Sequence, residues 1–303
     1  MSQFDYKQLQ ALETVVRTQS FEKAAEFLFI SQSAVSQRIK QLEENIGKPV
    51  LIRTQPLRLT AEGKSLVSHY NQVVQLEKSL HISDKDADEQ SLVTISIATN
   101  ADSLATWLIP AVKPAVVDAN VELNLLVADE NDTIEKLKNG EAFGAISTQE
   151  HAIKGCTSDL IGELNYVLVC SPEFEKKHFS NGINLATLRR APALAFDHRD
   201  NMHVNFLKNT FNLNEGDYPL HAVRSSEAFV TMSIEGLGYS LIADLQVKEQ
   251  LRSGELIRLM PGFSIKESLY WHRWLLLKGK HKQLSEHLLS NGQHLLKNTL
   301  TNE

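Results

Sequence analysis

The stretch SQSAVSQRIKQLEENIG, residues 31–47, limits what the N-terminal part of the chain can become. At about 100° per residue, Val35, Ile39, Leu42 and Ile46 fall on one narrow stripe, so the segment reads as a helix with a single buried side. Opposite lie Ser33, Ser36, Gln37, Lys40 and Glu44. Short donor–acceptor side chains of this kind favour caps over helix interiors, and here they crowd the N-terminal end. A short one-sided helix needs neighbours to cover it, and the preceding residues supply them. YKQLQALETVVRTQS places Leu9, Leu12, Val15 and Val16 on one face, and FEKAAEFLF, capped by Ser20, repeats the pattern with Phe21, Ala24, Ala25 and Leu28. A tight FIS connection follows, with Ser31 as the next cap and Gly47 as the stop. Three short helices with a sharp turn before the third form a helix-turn-helix, whose last helix enters the DNA major groove. Next, PVLIRTQPLRLT holds two short β-like runs around Gln55 and Pro56, which suits a two-stranded wing.

Charge supports that assignment by its distribution. The 303-residue chain carries a formal net charge of −6, but residues 1–66 hold 9 basic against 7 acidic side chains. Between residues 28 and 58 there are 5 basic (Arg38, Lys40, Lys48, Arg53, Arg58) and 2 acidic (Glu43, Glu44). A modest basic patch ahead of an acidic body points to an anionic partner at the N-terminal end. With 42% hydrophobic and 22% charged residues the rest is ordinary globular protein, long enough for more than one domain. Cys156 and Cys170 fit no metal or CxxC spacing, so inert thiols in a reducing cytoplasm are expected. MSQFDYKQLQ lacks an apolar signal core and no run approaches the roughly 20 residues of a span, so no membrane partner is expected.

FEKAAEFLFISQSAVSQRIKQLEENIGKPVLIRT, closed by RLTAEG, resembles the DNA-binding domain of LysR-type transcriptional regulators. The apolar spacing, Ala24-Ala25, SQSAVSQRIKQLE, the Gly-Lys-Pro stop and LTAEG all match. The wing departs: RTQPLRLT is shorter than usual and holds Pro56, where members often carry an Arg pair. The resemblance implies binding to double-stranded DNA through Ser31, Gln32, Ser33, Ser36, Gln37, Arg38, Lys40, Arg53 and Arg58. Gln pairs with an adenine edge and Ser serves several bases, whereas Lys40 is expected at phosphate. The plain alternative is a solvated polar face on a three-helix domain.

From Thr60, a cap with Glu62 in the first turn, a helix is expected to run to about Ile82. Leu66, Tyr70, Val73 and Leu80 follow an a/d-like repeat that Glu77 interrupts. Such a seam either packs on its own C-terminal domain or meets a partner helix. The resemblance implies the second, an antiparallel linker dimer that assembles further to a homotetramer. The polar SDKDADEQS, residues 83–91, reads as a hinge.

Beyond it, short β runs alternate with helices: LVTISIA, SLATWLIPAV, VELNLLV, TIEKLKNG and FGAIS, then NYVLVCS through SLYWHRWLLL and a final helix. This argues an open α/β architecture with ligands beyond the C-terminal ends of strands. It looks like the LysR effector domain, which resembles a periplasmic solute receptor. The expected α/β organisation is a winged helix-turn-helix over 1–60, a linker helix and hinge over 61–91, and a periplasmic-binding-protein-like effector domain over 92–303. Subdomain I takes about 92–164 and 266–303, and subdomain II about 165–265. NADSLATWLIPA, AFDHRDNMH, SSEAFV and LYWHR further resemble the arginine- and lysine-responsive subfamily of these regulators, also described as chromosome initiation inhibitors. That resemblance implies L-lysine or L-arginine as effector, no cofactor, RNA polymerase as a partner, and control of basic amino-acid export or metabolism.

The loops expected at the cleft carry Asp102, Ser103, Asp129, Glu130, Ser147, Asp197, Ser226 and Glu227. Ser103 with following amides can hold a carboxylate at a helix start, and carboxylates can meet a ligand's cationic groups. The alternative is that several are helix caps or first-turn carboxylates. Asp197, His198 and His203 in DHRDNMH lack a further ligand set, so no metal is expected. GLGYS reads as a turn into a strand, and Trp271, His272 and Trp274 as packing residues. No GxSxG, HExxH or Walker pattern occurs, so the expectation is not an enzyme. Two rivals stand beside the regulator: a solute-binding protein with an incidental head, which the want of a signal peptide disfavours, and an effector-independent replication-control or architectural DNA binder.

Overall fold

The computed structural model describes residues 4–79, 92–196 and 201–297. The head consists of α1 (Tyr6–Thr18), α2 (Phe21–Phe27) and α3 (Gln32–Ile46), then β1 (Leu51–Ile52) and β2 (Arg58–Leu59). The two strands pair antiparallel, Leu51 opposite Leu59, as the wing expectation required. Each helix opens on a side-chain cap: Asp5 accepts from the Lys7 amide, Ser20 from Lys23 and Ser31 from Ala34. Such caps satisfy first-turn donors that lack intrahelical partners and contribute about 1 kcal/mol each. Gly47 ends α3 at φ 74°, where the absence of a Cβ avoids a steric penalty. Val35, Ile39 and Leu42 join Leu9, Leu12, Val15, Ala24 and Ala25 in one core, closed from the wing by Val50, Leu51 and Leu57. The wing is tied down from two helices. Gln19, at the end of α1, accepts from the Leu57 amide at 2.8 Å and donates to the Leu57 carbonyl at 3.1 Å. Glu43 of α3 accepts from the Val50 amide at 3.0 Å. The Gln55–Pro56 peptide at the wing tip is cis.

Helix α4 (Ala61–Ser79) starts on Thr60, whose hydroxyl accepts from the Gly63 amide at 3.1 Å. Lys48 pairs with Glu62 at 2.6 Å and fixes the end of α3 to that start. Leu66 is buried in the head core, with Val67 and Tyr70 packed against it. This corrects the expected seam: Leu66 and Tyr70 cover their own head, because α4 lies across α1 and would otherwise leave that core open. Val73 is half-buried, whereas Leu80 and the 83–91 hinge lie outside the described residues. Another face of α4 touches the C-terminal domain through Ser68, Asn71 and Gln72, in line with packing on the same chain.

That domain begins with β3 (Val93–Thr99), α5 (Ala101–Ser103), a π-helical turn at Leu104–Leu108 and α6 (Ile109–Ala119). Then come β4 (Val121–Val127), α7 (Glu130–Lys138), β5 (Gly144–Ser147) and the long β6 (Cys156–Cys170). The next elements are α8 (Pro172–His178), α9 (Leu185–Leu188), β7 (Ala193–Ala195), α10 (Asn201–Phe211), β8 (Leu220–Ala222) and α11 (Ser226–Ile234). The chain finishes with β9 (Ser240–Ala243), α12 (Asp244–Ser253), β10 (Ile257–Arg258), β11 (Ile265–Trp274) and α13 (Gly279–Lys297). The main sheet runs β10-β6-β11-β5-β3-β4, with β9 also on β6, while β7 and β8 pair separately in parallel. β6 and β11 are the two crossing strands, antiparallel with Leu164 opposite Glu267. Their length was not legible: β6 starts nine residues before NYVLVCS, because CTSDLIGEL lacks a clean period of two.

Subdomain I is built on Ile95, Ile97, Trp107, Leu108, Trp271, Leu284 and Leu288. Trp271 is fully buried, donates from Nε1 to Ser285 Oγ at 2.8 Å, and lies on Gly144, where any Cβ would run into the indole. In subdomain II the side chains of β6 alternate between two cores. Leu168 and Cys170 pack with Phe174, Leu207 and Tyr239, while Val167 and Val169 pack with Phe229, Ile242 and Val247. Among the described residues no helix is long and apolar enough to cross a membrane.

Candidate functional site

On α3 the side chains of Gln32, Ser33, Gln37 and Lys40 are exposed, and Ser36 and Arg38 are half-buried. Ser31 belongs to the backbone: its hydroxyl accepts from the Ala34 amide at 3.2 Å and lies 2.9 Å from Ser33 Oγ. As the cap it is engaged locally, so Gln32 and Ser33 are the side chains that project first beyond the helix start. Lys40 sits 3.6 Å from Glu44 along the helix. Arg58 is exposed on the wing. Arg53 instead folds back, 5.7 Å from the Phe21 ring centre and 4.0 Å from Glu43. The turn before α3 holds a residue that the sequence reading passed over. Phe29 is 95% exposed with φ 54°, an uncommon backbone for an aromatic side chain.

The second region is the cleft between the subdomains. The helix there begins earlier than expected: Asn100 is its cap and accepts from the Ser103 amide at 3.2 Å. Ser103 is therefore inside the first turn and fully buried, and its hydroxyl has no hydrogen-bond partner among the described residues. Asp102 bridges the subdomains. Tyr166 on β6 donates to its Oδ2 at 2.8 Å, and Ser226, first residue of α11, lies 2.7 Å from its Oδ1. The same Ser226 hydroxyl is 2.9 Å from Gln246 Oε1, and with one proton it donates to one acceptor at a time. Gln246 in turn donates to the Ser226 carbonyl at 2.9 Å. A carboxylate at the N-terminus of α11 is favoured by the orphan amides and the helix dipole there. Neither Tyr166 nor Gln246 was singled out from the sequence, since nothing local marks them.

The third feature is a cavity of about 490 Å³, within the range of small-ligand pockets. Val127, Ala128, Asp129, Asp132, Glu135, Lys136, Asn139 and Glu141 wall it from subdomain I, with Phe196 and Arg224 from subdomain II. Of the effector candidates among the described residues, Asp129 lines it. Asp129 is the N-cap of α7 by backbone geometry, but its side chain makes no capping bond. Lys136 pairs with Glu141 at 2.9 Å and Glu135 with Lys138 at 2.6 Å. The structure thus separates the candidates: Asp102, Ser103 and Ser226 cluster at the subdomain junction, while Asp129 stands on the cavity wall.

Ser147 is buried and accepts from the Gln149 amide at 3.2 Å. Glu227 is exposed and accepts from Ser225 Oγ at 3.0 Å, the local first-turn role given as its alternative. Asp197, His198 and the Glu130 side chain lie outside the described residues. His203 is buried between the rings of Tyr218 and Tyr239, at 6.0 and 5.8 Å. No group of three or more potential metal ligands is present among the described residues. Burial raises Cys156 to about 11 and Cys170 to about 12, Glu175 adding to the latter, so both thiols stay protonated at neutral pH.

Known proteins share this arrangement along its whole length. Residues 6–64 match the bacterial regulatory helix-turn-helix protein, lysR family, and residues 91–292 match the LysR substrate binding domain. The HTH-type transcriptional regulator ArgP of Aeromonas salmonicida is 49% identical over 98% of this chain and 99% of its own. The crystal structure of ArgP from Mycobacterium tuberculosis superposes with TM-score 0.83 at 30% identity, covering 96% of this chain and 98% of the other. Full-length LysG from Corynebacterium glutamicum with bound effector Arg gives 0.72 at 28% identity, covering 96% and 99%. These relatives are regulators rather than enzymes. With both matched regions accounting for the head and the effector domain, the chain belongs to the LysR family of DNA-binding transcriptional regulators.

Proposed function

We propose that this regulator is controlled by a basic amino acid, lysine or arginine, held between the two effector subdomains. The observation that carries the reading is the lining of the cavity. Four carboxylates (Asp129, Asp132, Glu135, Glu141) stand there against two cations, Lys136 and Arg224. A ligand with one carboxylate and two cationic groups complements an acidic wall that includes a basic group from the facing subdomain. Arg224, the cation of the facing subdomain, is the group proposed to receive the ligand carboxylate. Relatives named ArgP and an arginine-bound LysG support this choice of ligand class. The same reading takes the protein as a cytoplasmic dimer of dimers, its heads spaced by linker helices, acting with RNA polymerase at promoters that govern basic amino-acid export or metabolism.

Calorimetry of the purified chain against the twenty amino acids tests the ligand class. Heat with lysine or arginine is expected, and its absence for both sinks the reading. Asp129→Asn keeps size and an acceptor but removes charge. The expected loss of lysine and arginine affinity is about tenfold or more, since charge-assisted bonds are roughly twice as strong as neutral ones and 1.4 kcal/mol is a factor of ten. Wild-type affinity in that variant would make Asp129 no more than an element start.

A further inference from the structure

The last carbonyls of an α-helix have no partner within it. At the end of α7 these groups are met by side chains from the linker. Ser68 Oγ donates to the Lys138 carbonyl at 2.9 Å, Gln72 Nε2 to the same oxygen at 2.7 Å, and Asn71 Nδ2 to the Asn139 carbonyl at 3.1 Å. Positions 68, 71 and 72 share one face of α4 by the three- and four-residue spacing of a helix. Leu66, Val67 and Tyr70 on another face hold the head. Gly140 allows the two backbones to meet. It is buried at φ 67°, and a Cβ there would stand 2.7 Å from both Asn71 Cβ and the Gln72 amide nitrogen. The conformation and the space both exclude a side chain.

One face of α7 lies at the cavity along its length. Asp129 opens the helix, and Asp132, Glu135, Lys136 and Asn139 carry the cavity wall along it. Ile134 and Leu137 seat it on a core with Ala98, Ala142 and Ala145. Its 9 residues span about 14 Å, so one short rod carries the cavity wall on its side and the linker contacts at its C-terminal end.

We propose that the Gly140 turn is the seat that holds α4, and with it the DNA head, on the effector domain of the same chain, and that α7 transmits cavity occupancy to that seat. The second half rests on the amino-acid reading above. An occupant that draws the acidic wall towards Phe196 and Arg224 displaces α7 as a unit, and the three hydrogen bonds pass the displacement to α4. Only such a difference in contacts between two states can shift the direction of the head.

Hydrogen exchange read by mass spectrometry on the full-length chain tests both halves. The proteins are wild type, Gly140→Ala and the double variant Asn71→Ala/Gln72→Ala, each without ligand and with L-arginine or L-lysine. In both variants, exchange over residues 71–77 and 136–142 should rise about tenfold, while strand 93–99 keeps its protection as the folding control. If Gly140→Ala fails that control, the double variant decides. Wild-type exchange in a folded variant overturns the seat. In the wild type, a bound amino acid should change exchange over 71–77, and in the variants the same amino acid should bind by calorimetry without that change. Binding that leaves 71–77 unaltered in the wild type overturns the transmission. Failure of either amino acid to bind wild type overturns the amino-acid reading and with it the transmission, while the seat stands or falls on the first comparison.

Discussion

At the scale of the residue, the DNA face turns on chemistry that α3 presents near its start. Gln32 is exposed one position after the cap, where a recognition helix comes nearest the base edges. Gln32→Ala should lower the preference for cognate over random DNA by about 1–3 kcal/mol, the range of one bidentate contact. Fluorescence anisotropy with both duplexes checks this, and equal losses on the two would assign Gln32 to backbone contact only. Residue identity pointed to this group, and the structure adds what two of its members touch within the head. Ser31 is a cap because the α3 amides need an acceptor, and the exposed Arg53 lies beside Phe21 and Glu43. Nor does any sequence rule announce Phe29, whose exposure arises from the backbone path of the turn.

At the scale of the element, α4 serves more than one neighbour. Leu66 and Tyr70 face the head, Ser68, Asn71 and Gln72 face α7, and Val73 is the half-buried position proposed for a partner linker. A lysine in place of Val73 sets a charge into any helix–helix contact made there, which is costly without a partner. Val73→Lys should therefore leave the effector domain folded and shift assembly towards smaller species. Sedimentation velocity at low protein concentration reads that shift, and an unchanged mass excludes Val73 from the interface. The heptad spacing was visible in the sequence. Which neighbour each position meets was not, since one apolar stripe suits a head core and a dimer seam equally well.

At the scale of the whole molecule, stability depends on pH through the buried imidazole of His272 and the half-buried one of His178. Burial holds His272 below its usual value, although its 2.6 Å contact to the Gln149 carbonyl and the charge of Asp159 act the other way. His178, stacked on Phe174 at 4.4 Å, is also lowered, by burial and then by Lys177. The folded chain therefore resists protons that the unfolded chain accepts below about pH 6.5. Their contribution is present above that value and is lost as pH falls through the lowered folded values. Denaturant unfolding at pH 7.5 and 5.5 should show the acid loss, and His272→Gln should reduce it. A pH dependence unaltered by that substitution would place the effect elsewhere.

Periodicity, caps and turn residues are local, so the sequence by itself determined the three-helix head, the wing, the long linker and the α/β alternation. The stripe of Val35, Ile39 and Leu42 could be buried in only one way, and the side chain of Ser31 reaches an amide three residues on. The tertiary structure alone decided the contacts between distant segments. Asp102 meets Ser226 across 124 positions of chain, and Ser68 meets Lys138 across 70. Asp129 shares a cavity with Arg224, and Gly140 is a glycine because α4 arrives there. None of these leaves a local mark, because a contact between remote residues depends on how whole elements pack, and that is set by the summed burial of their faces rather than by any short run of residues.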